Sequence, residues 1–338
     1  MSFILKTGLL LIMITIIECD TDDTTNSSFL KRENYGAVYE PTNGILHGAG
    51  QDYDSFIEYT ILTGNQLYPK VYMDYVGLVR PVEEVSNWGE HLLMRLENLP
   101  EDIIPQIGVN LTSGKDDGSG EDVGLANGKY DAQIEAFCVA IKKLDRPSFI
   151  RIGYEFEGSW NGYLPESYKT TFIKITRLLR NKNAKAATVW CSAGGSGGFQ
   201  SWDSLSMYYP GDQWVDWWGV DIFSPEELKD ARLITFLEKA SDHRKPVMIG
   251  ETTPRYVGTE EGAKSWDLWF DPFFYLMKTQ PQIKAFCYIN WDWDYWSDTL
   301  GYDWHDWKDA RLQKNDIVKN RYMLELNDPI FKHSEIGK

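Results

Sequence analysis

Two apolar, strand-like runs in this chain each end in a glutamate. Phe149, Ile150 and Ile152 lead into Glu155, with Gly158 and Trp160 close behind. Val247, Met248 and Ile249 lead into Glu251, 96 positions later. Burying a charge is costly, so a carboxylate at the end of a buried-type strand needs a reason. In a parallel β/α barrel the C-terminal strand ends converge on one face, and that face carries the chemistry. Two strands that each deliver one Glu there point to a two-carboxylate site.

The rest of the chain fits that architecture. Eight short apolar runs read as strands: Tyr35–Tyr39, Lys70–Tyr75, Ile103–Val109, Phe149–Tyr154, Ala187–Cys191, Trp217–Ile222, Val247–Gly250 and Ala285–Ile289. Longer segments with apolar residues three and four apart lie between them, among them Asp131–Leu144 and Ser167–Leu179, the spacing of amphipathic helices. Strand–helix alternation eight times over predicts an α/β fold, a (β/α)8 TIM barrel in one domain. An open doubly wound sheet would want a glycine-rich phosphate turn after its first strand, and Tyr35–Gly44 supplies none.

With 338 residues the chain is long enough for such a barrel, and the excess of 50 acidic over 34 basic residues, net −16, argues against a nucleic-acid partner. Residues 1–19 read as a signal peptide or lipoprotein signal: Lys6, then an apolar stretch from Gly8 to Ile17 too short to span a bilayer. Cys19 follows at once, so lipid anchoring at Cys19 and plain secretion both stand as expectations. Residues 20–34 read as a polar tether and 35–338 as the folded domain, expected to be a monomer. Cys138, Cys191 and Cys287 sit in apolar contexts and read as buried free thiols. The five histidines are scattered without metal-ligand spacing, and no cofactor or metal is expected. Lys115–Asp122 is acidic but lacks the calcium-loop register and reads as a solvated loop.

Aromatic residues make up 14% of the chain, 14 of them Trp, and several fall at strand ends. Apolar sugar faces stack on indole, so these positions suggest a glycan groove. Trp160, Trp190, Trp291 and Trp293 are the candidate platforms, with Trp291 under the sugar at the cleavage point. Asp292, Asp294 and Asp298 interleave with the last of them. In chemical terms, a protonated carboxyl at one strand end would donate to a leaving oxygen while the other attacks the anomeric carbon. Arg151, four residues before Glu155, is expected to face the same way and to hold a carboxylate in place.

Several of these segments together resemble glycoside hydrolase family 26. Tyr154-Glu-Phe-Glu-Gly-Ser-Trp160 is similar to the family's His-Glu-x-Asn-Gly-x-Trp signature, and Arg151 to its strand-4 arginine. Val189-Trp190, the run from Tyr209 through Asp221 to Phe223, Lys245–Glu251 and Tyr288–Trp291 resemble its strands 5 to 8 in order. The resemblance implies a (β/α)8 barrel with retaining chemistry, Glu155 as general acid/base and Glu251 as nucleophile. It also implies substrate contacts around Arg151, Tyr154, Glu157, Trp160, Trp190, Asp221, Trp291 and Trp293. Three positions depart from the pattern: Tyr154 replaces His, Glu157 replaces Asn, and Phe223 replaces a Tyr that bonds the nucleophile. An ionised Glu157 is expected to raise the pKa of Glu155 and to disfavour anionic sugars. The expected activity is endo-hydrolysis of a neutral β-linked polysaccharide of mannan or xylan type. The alternatives are a related hydrolase acting on another, algal or anionic, polysaccharide, and a glycan-binding barrel without catalysis, which would have no need of two strand-end glutamates.

Overall fold

The strand-like runs assemble into a closed parallel sheet. The computed structural model describes residues 32–113, 121–195 and 200–336; the leader, Cys19, the tether as far as residue 31 and the acidic loop over 115–120 lie outside the described residues. Strands β1 (Ile45–Gly50), β2 (Val71–Gly77), β3 (Ile104–Asn110), β4 (Ser148–Ile152), β5 (Ala186–Ser192), β6 (Trp217–Ile222), β7 (Val247–Thr252) and β8 (Ile283–Ile289) pair in sequence order. Strand β8 pairs back onto β1, which in turn pairs with β2, and the barrel closes. A short last strand, β9 (Phe331–Lys332), pairs with Ile45 and Leu46 of β1.

Period-2 alternation divides each strand between two cores. On β5, Val189 and Cys191 point into the barrel with Met73, Phe149, Trp217 and Cys287. Trp190, between them, points out to the helical layer with Phe236 and Leu205. The helices form where the 3,4 spacing predicts. Asp131–Leu144 buries Ile134, Phe137, Cys138, Ile141 and Leu144, and stops at Asp145 in a left-handed turn. Pro165–Asn181 starts with proline at its first position and buries Tyr168, Phe172, Ile175 and Leu179. All three described cysteines are buried free thiols.

The first strand is displaced from its expected place. Tyr35–Tyr39 is not a strand; β1 runs over Ile45–Gly50. The reason is steric. A Cβ on Gly48 would lie 2.6 Å from Cys287 Sγ, and one on Gly50 would lie 2.5 Å from Met73 Cβ. Crowding of the barrel interior demands glycine on this strand, and glycine erases the hydrophobic signal. Residues 35–40 instead plug the floor of the barrel. Tyr39 sets its ring edge against Phe149 at 6.4 Å, and Trp217 Nε1 donates to the Val38 carbonyl at 2.7 Å. The packed chain also begins before residue 35. Arg32 is buried and donates to the carbonyls of Gln280, Ile283 and Met277. Asp122, expected in a solvated loop, is fully buried and accepts from the Leu164 N–H at 3.0 Å.

A histidine pair, His47 buried and His333 half-buried, fastens β9 to the barrel. His47 Nδ1 meets His333 Nδ1 at 3.0 Å, His47 Nε2 meets the Tyr59 hydroxyl at 2.7 Å, and His333 Nε2 meets the Leu326 carbonyl at 3.0 Å. The two facing nitrogens hold one proton between them; a second would set N–H against N–H. Burial first, and then the facing His333, keep the His47 pKa well below its ordinary 6.5. Below that pH the unfolded ring takes a proton that the folded ring refuses. Stability is therefore whole above about pH 6.5 and falls below it, by up to ~1.4 kcal/mol per pH unit for His47. Urea midpoints measured between pH 7 and pH 5 should fall, and His47→Gln should flatten that slope. An unchanged slope in the variant would remove His47 from the acid response.

Candidate active site

The strand ends gather three charged side chains from three strands. Arg151 on β4 is fully buried inside the barrel. Its Nη1 donates to Glu251 Oε1 on β7 at 2.8 Å, and its Nη2 to Asp221 Oδ2 on β6 at 2.5 Å. Gly250 permits this approach, since a Cβ there would lie 2.7 Å from both Arg151 Nε and Asp221 Oδ1. One guanidinium fork thus spans two carboxylates, a task its planar geometry suits. The Gly250 carbonyl is fixed in turn by Gln106 Nε2 at 2.9 Å.

Glu155 is not on the strand. Strand β4 ends at Ile152, and the chain turns through left-handed backbone at Gly153 (φ 57°) and again at Glu155 (φ 54°). A left-handed Glu costs about 1–3 kcal/mol and persists only where its surroundings hold it. Here the Glu155 N–H donates to the Cys191 carbonyl at 2.8 Å. Asn161 Nδ2 donates to the carbonyls of Tyr154 and Glu155, at 3.1 and 2.9 Å. Arg151 and Glu155 therefore meet the same space by a turn, not by strand alternation. The Glu155 carboxyl accepts from Trp160 Nε1 at 2.8 Å. Its pKa is raised well above the ordinary carboxyl value, by burial first and then by the charges of Asp221 and Glu251; Trp160 and Arg151 oppose the shift. The site thus holds two carboxyls in opposite settings, one ion-paired to Arg151 and the other pushed toward its neutral form.

The remaining candidate residues divide. Tyr154 lies in the site, with the Arg151 guanidinium 5.0 Å from its ring centre. Its pKa is raised by burial and then by Glu251 and Glu155, so it stays a neutral donor. Trp160 is a partner of Glu155 before it is a platform. Trp291 follows β8 and is partly exposed beside a groove of 260 Å³ that Trp296 and Tyr295 also line. Trp293 is buried and stands behind Trp291, ring centres 4.8 Å apart. Arg151, Trp190 and Asp221 are corrections. All three are completely buried, so none offers surface to a glycan: Trp190 faces the helices, and Arg151 and Asp221 are bonded to each other beneath the site floor.

Glu157 is a further correction. Its carboxylate turns away from Glu155 and accepts from the Ser192 hydroxyl and, at 3.1 Å, from the Ala193 N–H. Burial pushes its pKa up to about 7. Asp221 and Glu251, not Glu157, supply the negative charge that raises Glu155. Glu157→Gln is accordingly expected to leave the basic limb of the pH–rate profile in place. A limb displaced by half a pH unit or more would show that the Glu157 charge does reach Glu155.

Two residues of the site escaped sequence reasoning. Tyr75 lies near the C-terminal end of β2 and sets its ring against Tyr154 at 5.6 Å, and after burial the charge of Glu251 is the largest influence raising its pKa. Asn110 ends β3 close enough to Tyr154 to oppose the rise in its pKa. Phe223 packs on Trp307, ring centres 4.7 Å apart, and brings no hydroxyl to the site; the tyrosines whose pKa the charge of Glu251 raises are Tyr75 and Tyr154. Asking of every strand end what was asked of Glu155 and Glu251 would have found both. A wider groove of 590 Å³ lies between helices Asp131–Leu144 and Pro165–Asn181, among residues remote from these carboxylates.

Known proteins are similar to this chain in sequence and in fold. Residues 117–255 match the family model described as Glycosyl hydrolase family 26. A β-1,3-xylanase of Vibrio sp. is 31% identical over 321 residues, covering 87% of this chain and 67% of that protein. A β-1,3-xylanase of Alcaligenes sp. is 30% identical over 316 residues, covering 86% and 65%. The chain thus spans about two thirds of the length of these relatives. Among solved structures, an endo-β-1,4-mannanase of Cellulomonas fimi superposes with a TM-score of 0.60 at 18% identity, covering 87% of this chain and 73% of that one. The GH26C protein of Muricauda sp. superposes with a TM-score of 0.62 at 14% identity, covering 88% of each chain. At such identities the structural likeness speaks to the fold alone.

Proposed function

We propose that this chain, which belongs to glycosyl hydrolase family 26, cleaves a neutral β-linked xylan internally and with net retention, β-1,3-xylan first among candidates. Glu251 attacks the anomeric carbon as the glycosidic C–O bond breaks, and the leaving oxygen takes the proton of Glu155. Water then attacks the glycosyl–Glu251 ester, the Glu155 carboxylate takes its proton, and Glu251 is released. The observation that carries this reading is the opposite setting of the two carboxyls, Glu251 ion-paired to Arg151 and Glu155 with a raised pKa. An acid must hold its proton until the leaving group needs it, and a nucleophile must be ionised and aimed. The choice of xylan rests on the activity named for the two relatives. The choice of a neutral polymer rests on the carboxylates at the mouth: Asp52, Asp54 and Glu58 line the groove beside Trp291, where the charge of Arg311 is already taken by Asp292 and Asp309, and would repel uronates or sulfates. Part of the same proposal is delivery to the cell surface or medium by residues 1–19, with or without a lipid on Cys19.

The test is a panel of β-1,3-xylan, β-1,4-xylan, β-1,4-mannan and anionic polysaccharides, scored by new reducing ends, with proton NMR of the first-formed anomer. Cleavage of β-1,3-xylan with the β-anomer appearing first is the expected result. Cleavage of anionic polymers alone would overturn the substrate, and the inverted anomer would overturn the mechanism. Activity on no member of the panel would favour a glycan-binding role.

A further inference from the structure

The loop that carries Glu155 is docked on the end of β5 residue by residue. The Glu155 N–H donates to the Cys191 carbonyl at 2.8 Å. The Phe156 ring stacks on Trp190, centres 4.4 Å apart and planes within 15°. The Glu157 carboxylate takes the Ser192 hydroxyl on one oxygen and the Ala193 N–H on the other. Ser192 Oγ in turn accepts the Gly194 N–H at 3.1 Å. Gly194 adopts φ +63° against the Asp221 backbone, where a Cβ would lie 2.1 Å from the Asp221 carbonyl oxygen. Three consecutive residues of one loop thus meet consecutive residues at the end of the neighbouring strand, by a backbone bond, a ring stack and a carboxylate clamp. That chain of contacts runs on to the residue that pairs with Arg151.

We infer that Glu157 is a positioning residue for the general acid: its carboxylate clamps the β4 loop to the end of β5 and holds Glu155 in its left-handed conformation. This rests on the reading of Glu155 as the acid. The strained φ of Glu155 is the reason that a clamp is needed. Free of its docking, a glutamate relaxes to the ordinary right-handed or extended regions, and its carboxyl leaves Trp160 and the mouth. The ring stack alone does not fix the twist of the loop, because a stacked pair still slides and turns in plane. A carboxylate with one donor on each oxygen fixes both distance and rotation. The other titratable groups whose ionisation Glu157 opposes are the hydroxyls of Tyr168 and Tyr208; both are pushed upward in pKa, by burial before anything else, and remain neutral. No cation accompanies Glu157 in any hydrogen bond or ion pair among the described residues, so the clamp consists of hydrogen bonds to β5.

A misplaced acid has a kinetic signature that a merely loosened protein lacks. Substrates with poor leaving groups need the proton and should suffer; aryl glycosides with good leaving groups should not. The experiment compares the native chain with Glu157→Ala, Glu157→Gln and Glu155→Ala on the polysaccharide that the native chain cleaves and on two aryl β-glycosides of its sugar, one with a good and one with a poor leaving group. Glu157→Ala should lower kcat on the polysaccharide and on the poor leaving group by about tenfold or more, with a far smaller change on the good one. Glu157→Gln, which keeps an oxygen for Ala193 and offers an N–H to Ser192, should recover most of the loss. Equal losses on all substrates in Glu157→Ala, or no loss at all, would overturn the inference, provided that Glu155→Ala shows the leaving-group dependence. If Glu155→Ala lacks that dependence, the acid assignment itself fails and the inference falls with it. Should Glu157→Ala fold poorly, Glu157→Gln combined with Ser192→Ala puts the same question to the clamp from the other side.

Discussion

Glu251→Ala is expected to remove turnover on every substrate, and Glu155→Ala only on those that need a proton. Nothing in the site replaces a missing nucleophile, so the first loss should exceed ~10⁴-fold in kcat for polysaccharide and aryl glycoside alike. Loss of the acid should cost ~10²–10⁴-fold on the polysaccharide and little on an aryl glycoside whose leaving group departs unaided. The asymmetry follows from the environments of the two carboxyls. Glu251 receives Arg151 Nη1 at 2.8 Å, whereas Glu155 receives a neutral indole N–H and is held toward its protonated form by burial and by the charges of Asp221 and Glu251. Because the pKa of Glu155 is raised, its proton is present below that value and lost above it. Activity on the polysaccharide should therefore decline as pH climbs through the raised pKa, and Glu155→Ala should lack that limb. Steady-state kinetics of both variants on the two substrate types check the assignment. Reversed patterns would exchange the two roles, and equal losses on both substrates would dissolve them.

Arg151→Leu should be among the most damaging single changes to both fold and activity. Arg151 is completely buried and bonded to two carboxylates that are themselves buried or nearly so. Removing one partner of a buried ion pair leaves an uncompensated charge and typically costs 3–5 kcal/mol. Here two carboxylates would be left facing each other. Burial already raises the pKa of Asp221, with the charge of Glu251 adding to it and Arg151 opposing it. Without the guanidinium that carboxyl should take up a proton, and Glu251 should lose its orientation. Arg151→Lys should recover little, since one ammonium cannot reproduce the fork that reaches both acids. Thermal melts and kcat on an aryl glycoside measure the two effects. A melting temperature within a degree or two of the native value would mean that the triad contributes little to the fold.

The sequence by itself determined the barrel, and it set Glu155 and Glu251 after two of its apolar runs. Buried parallel strands are mostly apolar, so β4 and β7 announce themselves, and the glutamate that follows each apolar run lies at or just past the strand end, where chemistry collects. Helices such as Asp131–Leu144 were equally legible, because one face must be apolar every third or fourth residue. Only the tertiary structure decided the rest, for three physical reasons. Close packing inside a barrel selects small residues, and β1, with Gly48 and Gly50 pressed against Cys287 and Met73, carries no hydrophobic pattern to read. Side-chain direction depends on register and on turns: Trp190 and Asp221 stand at strand positions suited to a groove, yet one points outward into the helices and the other lies under Arg151. Proximity in sequence is not proximity in space. Glu157 is two residues from Glu155, but the left-handed turn sends its carboxylate to Ser192, while the charges that act on Glu155 arrive from Asp221 and Glu251 on strands β6 and β7.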